Sequence, residues 1–324
     1  FAGIGKQRSE MAYALDVGIH SFNVESEPEL LALNEVAVEH GRIARIALRV
    51  NPDVDPKTHE KIATGKAGNK FGVAYGEAPR LYALAAEMPG LDAAGVHMHI
   101  GSQLTDLEPF RRAFTLTRKL VVQLRAAGHD ISHVDLGGGL GVPYRGTNDI
   151  PPHPSEYASV VRETVGDLGV QLAFEPGRMI AGNAGILVTE VIYSKPADGK
   201  TFLIVDAAMN DLIRPTLYEA HHEIWPIDEA ARAQELVPTD VVGPVCETGD
   251  YIARARAMPP LEPGARIAVM TAGAYGAVQS GTYNSRLLVP EILVNGAEFA
   301  VVRPRTTYED LIGLDRLAPW LSKS

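Results

Sequence analysis

Three short runs combine side chains able to do chemistry: His97-Met98-His99-Ile100-Gly101-Ser102, Gly137-Gly138-Gly139-Leu140-Gly141 and Glu175-Pro176-Gly177-Arg178. Consecutive glycines let backbone N–H groups close on an anion, as phosphate-binding loops do, and they serve equally as a tight strand-to-helix turn. His97 and His99 are two apart, which on a strand puts both on one face, as metal ligands or as hydrogen-bonded interior groups. No further ligand set accompanies them, so the reading is that no metal is bound. A neutral imidazole is also a flat plate on which an aromatic cofactor can stack. Glu175 at a strand end can hold a proton on a ring nitrogen. Arg178 can bind a phosphate or carboxylate with two parallel bonds, or pair with Glu175. Phosphate cradle, ring plate and pyridinium partner together suggest pyridoxal 5'-phosphate, which is an effective electron sink while its ring nitrogen stays protonated. Nicotinamide is poorly supported, because GGGLG does not have the spacing of GxGxxG.

A second set lies in the C-terminal part: Arg214 and Tyr218 within 206–218, Cys246, Glu247 and Asp250 within 243–250, and Tyr275 in the run AGAYG. Turns that combine Cys, Glu, Asp, Arg and Tyr are where substrate contacts and proton donors are expected. Cys246 taken alone reads as a small buried apolar residue, and its neighbours Glu247 and Asp250 weigh against that.

These residues need a scaffold that brings distant runs together. From residue 1 to 185, short Val-, Ile- and Ala-rich runs alternate with amphipathic stretches, the rhythm of parallel strands crossing over through helices in an α/β barrel or a doubly wound sheet. Strands are predicted at 19–24, 43–51, 95–100, 132–136 and 171–174, with 1–3 as the tail of another. Helices are predicted at 27–39, 78–87, 107–126 and 154–166, the first capped by Ser26 with acids in its opening turn. The three runs then sit just after strands, on the face where parallel α/β folds place their active sites. Residues 186–324 read as a mostly antiparallel β-domain, with strands at 186–193, 200–206, 266–270 and 290–302.

Composition narrows the function. The 324 residues carry 40 acids against 30 bases, a net charge of −10, which argues against a nucleic-acid partner. No apolar run reaches the length of a membrane span, and one cysteine makes no internal disulfide, so a reducing cytoplasm is expected.

The runs HEKIATGKAGNKFGV, HMHIGSQ, DLGGGLGVPY, EPGR, DAAMNDLIRPTLY, GPVCETGDYIA, AGAYG and RPRTTYEDLI resemble the fold-type III, alanine-racemase-like pyridoxal phosphate decarboxylases over essentially the whole chain. NKFG, MNDLIRPTLY and CETGD resemble the diaminopimelate branch more than the ornithine or arginine branches. The resemblance implies a (β/α)8 barrel of TIM type, a β-domain after it, and a homodimer with shared active sites. It implies His99 on the pyridine ring, Ser102 and Gly137 to Gly139 near the phosphate, Gly177 beside the cofactor, and Glu175 on the ring nitrogen. Arg178, Arg214 and Tyr218 would contact an amino acid substrate, with Arg178 near enough to the phosphate to serve either. Cys246 and Glu247 would reach the partner's site, the thiol as proton donor, and Tyr275 would touch cofactor and substrate. The implied reaction is decarboxylation of meso-2,6-diaminopimelate to L-lysine. The family holds its cofactor on a lysine in a segment resembling Val-Lys-Ala-Asn, which is not found here, and Lys6 does not match it. The expectation is therefore an N-terminally truncated form that starts near the third barrel strand, binds the cofactor noncovalently and turns over slowly. Two alternatives stay open: an inactive regulatory relative that pairs with a full-length subunit, and a decarboxylase of another basic amino acid.

Overall fold

Strand and helix alternate through the first half of the chain in the computed structural model, which describes residues 1–55, 64, 69–145 and 150–321. The first unit comprises Phe1–Pro143 and Ile150–Ile180 among those residues. Its elements are α1 (Arg8–Asp16), β1 (Phe22–Val24), α2 (Glu27–Glu39), β2 (Ala44–Asn51), β3 (Val73–Ala74), α3 (Ala78–Ala86), β4 (Leu91–His97), α4 (Glu108–Ala126), β5 (His133–Asp135), α5 (Pro154–Val165), β6 (Gln171–Ala173) and α6 (Arg178–Ala181), whose last residue lies past the unit's boundary. α2 starts as its sequence predicts, with the Glu29 N–H donating to Ser26 Oγ at 3.3 Å and Glu27 and Glu29 in the first turn. α1 was not among the predicted elements, although Met11, Ala14 and Leu15 are buried at helical spacing.

The strands are parallel in the order β1-β2-β4-β5-β6, with β3 extending the sheet beside β2. β1 and β5 are buried at every position, as expected of a sheet covered on both faces. α4 shows how it is covered, laying Phe110, Ala113, Phe114, Leu120, Val121 and Leu124 into the core at intervals of three and four. Flat, β1 and β5 would stand three strand spacings apart, about 14 Å at about 4.8 Å each. Instead Asn23 Nδ2 of β1 donates to Asp135 Oδ2 of β5 at 3.1 Å, so the sheet curls as a barrel does. The register places Arg49, His97, Asp135 and Ala173 side by side on consecutive strands, all at their C-terminal ends. The chain at Phe1 lies alongside β1, its carbonyl accepting the Asn23 N–H at 2.9 Å, without forming a strand.

The second unit comprises the described residues of Tyr144–Asp149 and Ala181–Ser324. Here lie β7 (Leu187–Ala197), β8 (Lys200–Val205), α7 (Arg214–Tyr218), β9 (Ile224–Pro226), β10 (Val237–Val242), β11 (Tyr251–Met258), β12 (Arg266–Val269), β13 (Glu291–Asn295), β14 (Glu298–Arg303) and α8 (Tyr308–Ile312). The main sheet runs β11-β10-β8-β7-β12-β9, antiparallel except for the β8 and β10 pair. It encloses a separate core that includes Val191, Leu203, Val205, Val241, Ile252 and Ile267. The segment predicted as one strand at 290–302 is a hairpin, turning where Gly296 takes φ +60°. β9, β10 and β11 were not predicted, because their apolar runs are short and broken by Pro238, Arg254 and Arg256.

Candidate active site

All three chemistry-bearing runs of the first unit lie just beyond the C-terminal ends of neighbouring strands, after β4, β5 and β6. Backbone bonds tie them together: the Glu175 N–H donates to the Gly137 carbonyl at 2.8 Å, and the Leu104 N–H to the Gly139 carbonyl at 2.9 Å. β4 ends at His97, so His99 lies beyond the strand: His97 faces Glu175, and His99 Nδ1 accepts the Gly138 N–H at 3.2 Å. That bond assigns the proton of the neutral ring to Nε2. Burial first, then the charge of Arg49, lowers the His99 pKa to about 4, so the ring is neutral near pH 7, as a stacking plate requires.

The triple glycine is not an open cradle of three amides. The Gly137 N–H donates to Asp135 Oδ1 at 2.9 Å and the Gly138 N–H is taken by His99. Glycine is needed here for close approach: Gly137 has φ +64° and a Cβ on it would lie 2.7 Å from His99 Nδ1, while a Cβ on Gly138 would overlap the Glu175 carbonyl oxygen. Gly138→Ala is therefore expected to push the second and third runs apart. It should cost about 2 kcal/mol or more in unfolding free energy and weaken cofactor binding at least tenfold, read by denaturant titration and by cofactor titration.

Glu175 Oε1 accepts from Asn23 Nδ2 at 3.3 Å, and its Oε2 lies 3.6 Å from His97 Nε2. His97 above all, opposed by partial burial, holds this carboxyl well below the usual carboxylate range, so it is ionised at neutral pH. Arg178 donates from Nε and Nη2 to Ser102 Oγ at 3.2 Å each, and no ion pair joins it to Glu175 among the described residues. A cavity of about 410 Å3 opens between the glycine run, the turn at Gly177 and α5, lined by Gly139, Tyr157, Phe174, Gly177 and Arg178 among others but not by His99, Ser102 or Glu175. His97, Asp135 and Glu175 each place a ligand atom within 4.8 Å of the others, a set the sequence reading did not bring together. Buried charged and polar residues on otherwise apolar strands, Asn23 and Asp135, were the available signal for it.

In the second unit Arg214 is buried at the start of α7, its Nη1 donating to His222 Nε2 at 2.7 Å and its guanidinium 4.4 Å over the Tyr144 ring. His222 Nδ1–H must then donate to the Met270 carbonyl at 2.8 Å, and burial lowers its pKa to about 4. The turn at 243–250 is organised by Asp250, whose carboxylate accepts the Met209 and Val245 N–H groups, each at 2.7 Å. Cys246 is exposed, in line with the weight its neighbours Glu247 and Asp250 carry against a buried apolar residue. Glu247 Oε2 accepts from Tyr283 Oη at 2.9 Å, and Tyr218 Oη accepts from Gln279 Nε2 at 3.4 Å. Tyr275 has φ +56°, a left-handed conformation that costs a residue with a Cβ about 1–3 kcal/mol and that clusters at functional sites. Of the HEKIATGKAGNKFGV run, most of the residues before Asn69 lie outside the described residues.

The family model of the pyridoxal-binding domain of pyridoxal-dependent decarboxylases matches residues 1–182. A diaminopimelate decarboxylase of Zymomonas mobilis is 46% identical over 99% of this chain and 76% of its own length. The chain belongs to the diaminopimelate decarboxylase family. Another relative of that name, from Pseudomonas aeruginosa, is 49% identical over 98% of the chain and 76% of its own length. A crystal structure of diaminopimelate decarboxylase from Helicobacter pylori complexed with L-lysine superposes with a TM-score of 0.91, at 41% identity over 96% of this chain and 77% of that one. Its fold class is thus the α/β barrel with a β-domain of this decarboxylase family. These matches do not bear out the expectation of an inactive form. No helix among the described residues is long and apolar enough to cross a membrane.

Neutral burial of His99, His133 and His222, each lowered to about 4 by burial first, makes stability depend on pH in this family member. The unfolded chain protonates these imidazoles near pH 6.5 and the folded one does not, so the unfolded state binds more protons between pH 6.5 and 4. Stability is complete above that window and falls as pH drops through it. A fall in Tm of about 5 °C or more between pH 7 and 5, measured by scanning calorimetry, is expected. A flat Tm over that range would remove the assignment.

Proposed function

We propose that the chain decarboxylates meso-2,6-diaminopimelate at its D-centre to give L-lysine and CO2, with pyridoxal 5'-phosphate as cofactor. One observation carries the reading: a neutral imidazole, an ionised carboxylate and an Arg–Ser pair converge at the ends of adjacent parallel strands. These residues fit the cofactor. Bound pyridoxal phosphate supplies the electron sink for the carbanion left when CO2 departs.

The chain's own groups then have separate tasks. Glu175 holds a proton on the ring nitrogen, and His99 packs its neutral ring against the cofactor. Ser102 and Arg178, with the Gly139 N–H and the turn at Gly177, hold the phosphate. Gly137 and Gly138 serve by allowing the close approach described above. Arg214, Tyr218 and Tyr275 bind the substrate, Arg214 at its distal carboxylate, which selects the stereocentre by orientation. Cys246 donates the proton that replaces the lost carboxyl, with Glu247 beside it. Both are exposed, which suits a homodimer in which each copy serves the other's site. An exposed thiol also suits the cytoplasm.

The test is direct. Protein supplied with pyridoxal phosphate should release CO2 and lysine from meso-diaminopimelate and none from ornithine or arginine. Activity on ornithine or arginine alone would replace the substrate, and no turnover of any of the three would favour a regulatory relative.

A further inference from the structure

Around Glu175 stands a group of polar side chains that the reaction, as proposed, does not use. Asn23 Nδ2 donates to two carboxylates at once, Asp135 Oδ2 at 3.1 Å and Glu175 Oε1 at 3.3 Å. Asp135 is itself fixed from the other side, its Oδ1 accepting the Gly137 N–H at 2.9 Å. His97 stands on the adjacent strand with Nε2 3.6 Å from Glu175 Oε2. Asn23, His97 and Asp135 are 5%, 1% and 8% exposed. Glu175 alone of the four is exposed. Burying three polar groups on apolar strands costs stability unless they act on something, and what they share is the Glu175 carboxylate. Neither ring nitrogen of His97 makes a hydrogen bond within the described residues. The imidazole is thus held by packing and turned toward the carboxylate.

We propose that Asn23, Asp135 and His97 are positioning residues: they hold the Glu175 carboxylate in one rotamer, facing the ring nitrogen of the cofactor, and keep it there as an acceptor. Each carboxylate oxygen has one neighbour behind it, Asn23 for Oε1 and His97 for Oε2, which leaves the outward lone pairs for the ring N–H. Asp135 anchors Asn23 and couples its orientation to the glycine turn. Loss of either Asn23 or His97 frees a side chain whose remaining torsions are otherwise pinned, and a carboxylate that must be ordered on binding holds the ring nitrogen less well. The competing use of the same atoms is a divalent cation on His97, Asp135 and Glu175. The Asn23 donor between the two carboxylates favours the first reading, because it already satisfies one oxygen of each.

This inference rests on Glu175 being the partner of the ring nitrogen, and the experiment separates the two. Dissociation constants are measured by absorbance and fluorescence titration for pyridoxal phosphate and for its 1-deaza analogue, in which a C–H replaces the ring nitrogen. Wild type is expected to prefer the natural cofactor by about 10- to 100-fold, the range of a charge-assisted hydrogen bond. Asn23→Leu and His97→Phe should each lower that preference about tenfold, and leave deaza-cofactor affinity within about threefold, which also reports that the variants fold. His97→Asn, which keeps a donor, should restore part of it. No preference in wild type would overturn the role of Glu175 and the inference with it. A wild-type preference retained in both variants would overturn the inference alone. Zinc binding to metal-free wild type at micromolar concentration, lost in His97→Phe, would overturn it in favour of a cation site.

Discussion

Glu175→Gln is expected to lower turnover about 1,000-fold while changing cofactor affinity by less than about tenfold. The size follows from what is lost: a preorganised charged group aimed at the point where charge develops is worth about 100- to 1,000-fold in rate. An amide matches the carboxylate in shape and can still accept a bond from Asn23, so the runs around it stay in place. What it cannot do is hold a proton on a pyridine nitrogen, because it carries no charge to favour the pyridinium. Affinity is spared since Ser102, Arg178 and the glycine turn remain. Steady-state rates and a cofactor titration on one preparation check both halves. Turnover within tenfold of wild type would mean that another group protonates the ring.

Arg214→Ala is expected to raise KM for diaminopimelate about 100-fold with a smaller change in kcat. Removing one charge-assisted hydrogen-bonding partner of a carboxylate costs about 1.5–3 kcal/mol, and a second such bond from the same fork adds to it. The Tyr144 ring lies under the Arg214 guanidinium, and the neutral His222 accepts one of its N–H groups. Arg214→Lys should keep the charge, lose the fork and fall between the two, because a point charge cannot match a planar carboxylate with two parallel bonds. Equal losses in kcat and kcat/KM would place Arg214 at the transition state instead of the bound substrate.

The parallel order of the first unit was legible because buried parallel strands read as apolar runs and their crossover helices as amphipathic ones, and four helices fall within a residue or so of where periodicity puts them. Strand ends were less legible. β4 stops at His97 and not at Ile100, which leaves His99 outside the strand. The second unit was read only in part, since some of its strands mix charged and apolar residues, as β11 does, or bury none of their positions, as β13 does.

Residue chemistry alone nominated the groups proposed for this protein: a carboxylate for a ring nitrogen, an imidazole plate, arginines for anions, a thiol in a polar turn. Those assignments need only side-chain type and a place at the end of a strand, both of which are local. Tertiary structure decided which atoms meet. Asn23 lies 112 positions before Asp135 and 152 before Glu175, and no periodicity in the chain relates them. The curl of the sheet brings them within hydrogen-bonding distance, and that curl is a property of twisted strands packed on one core, not of any residue within it.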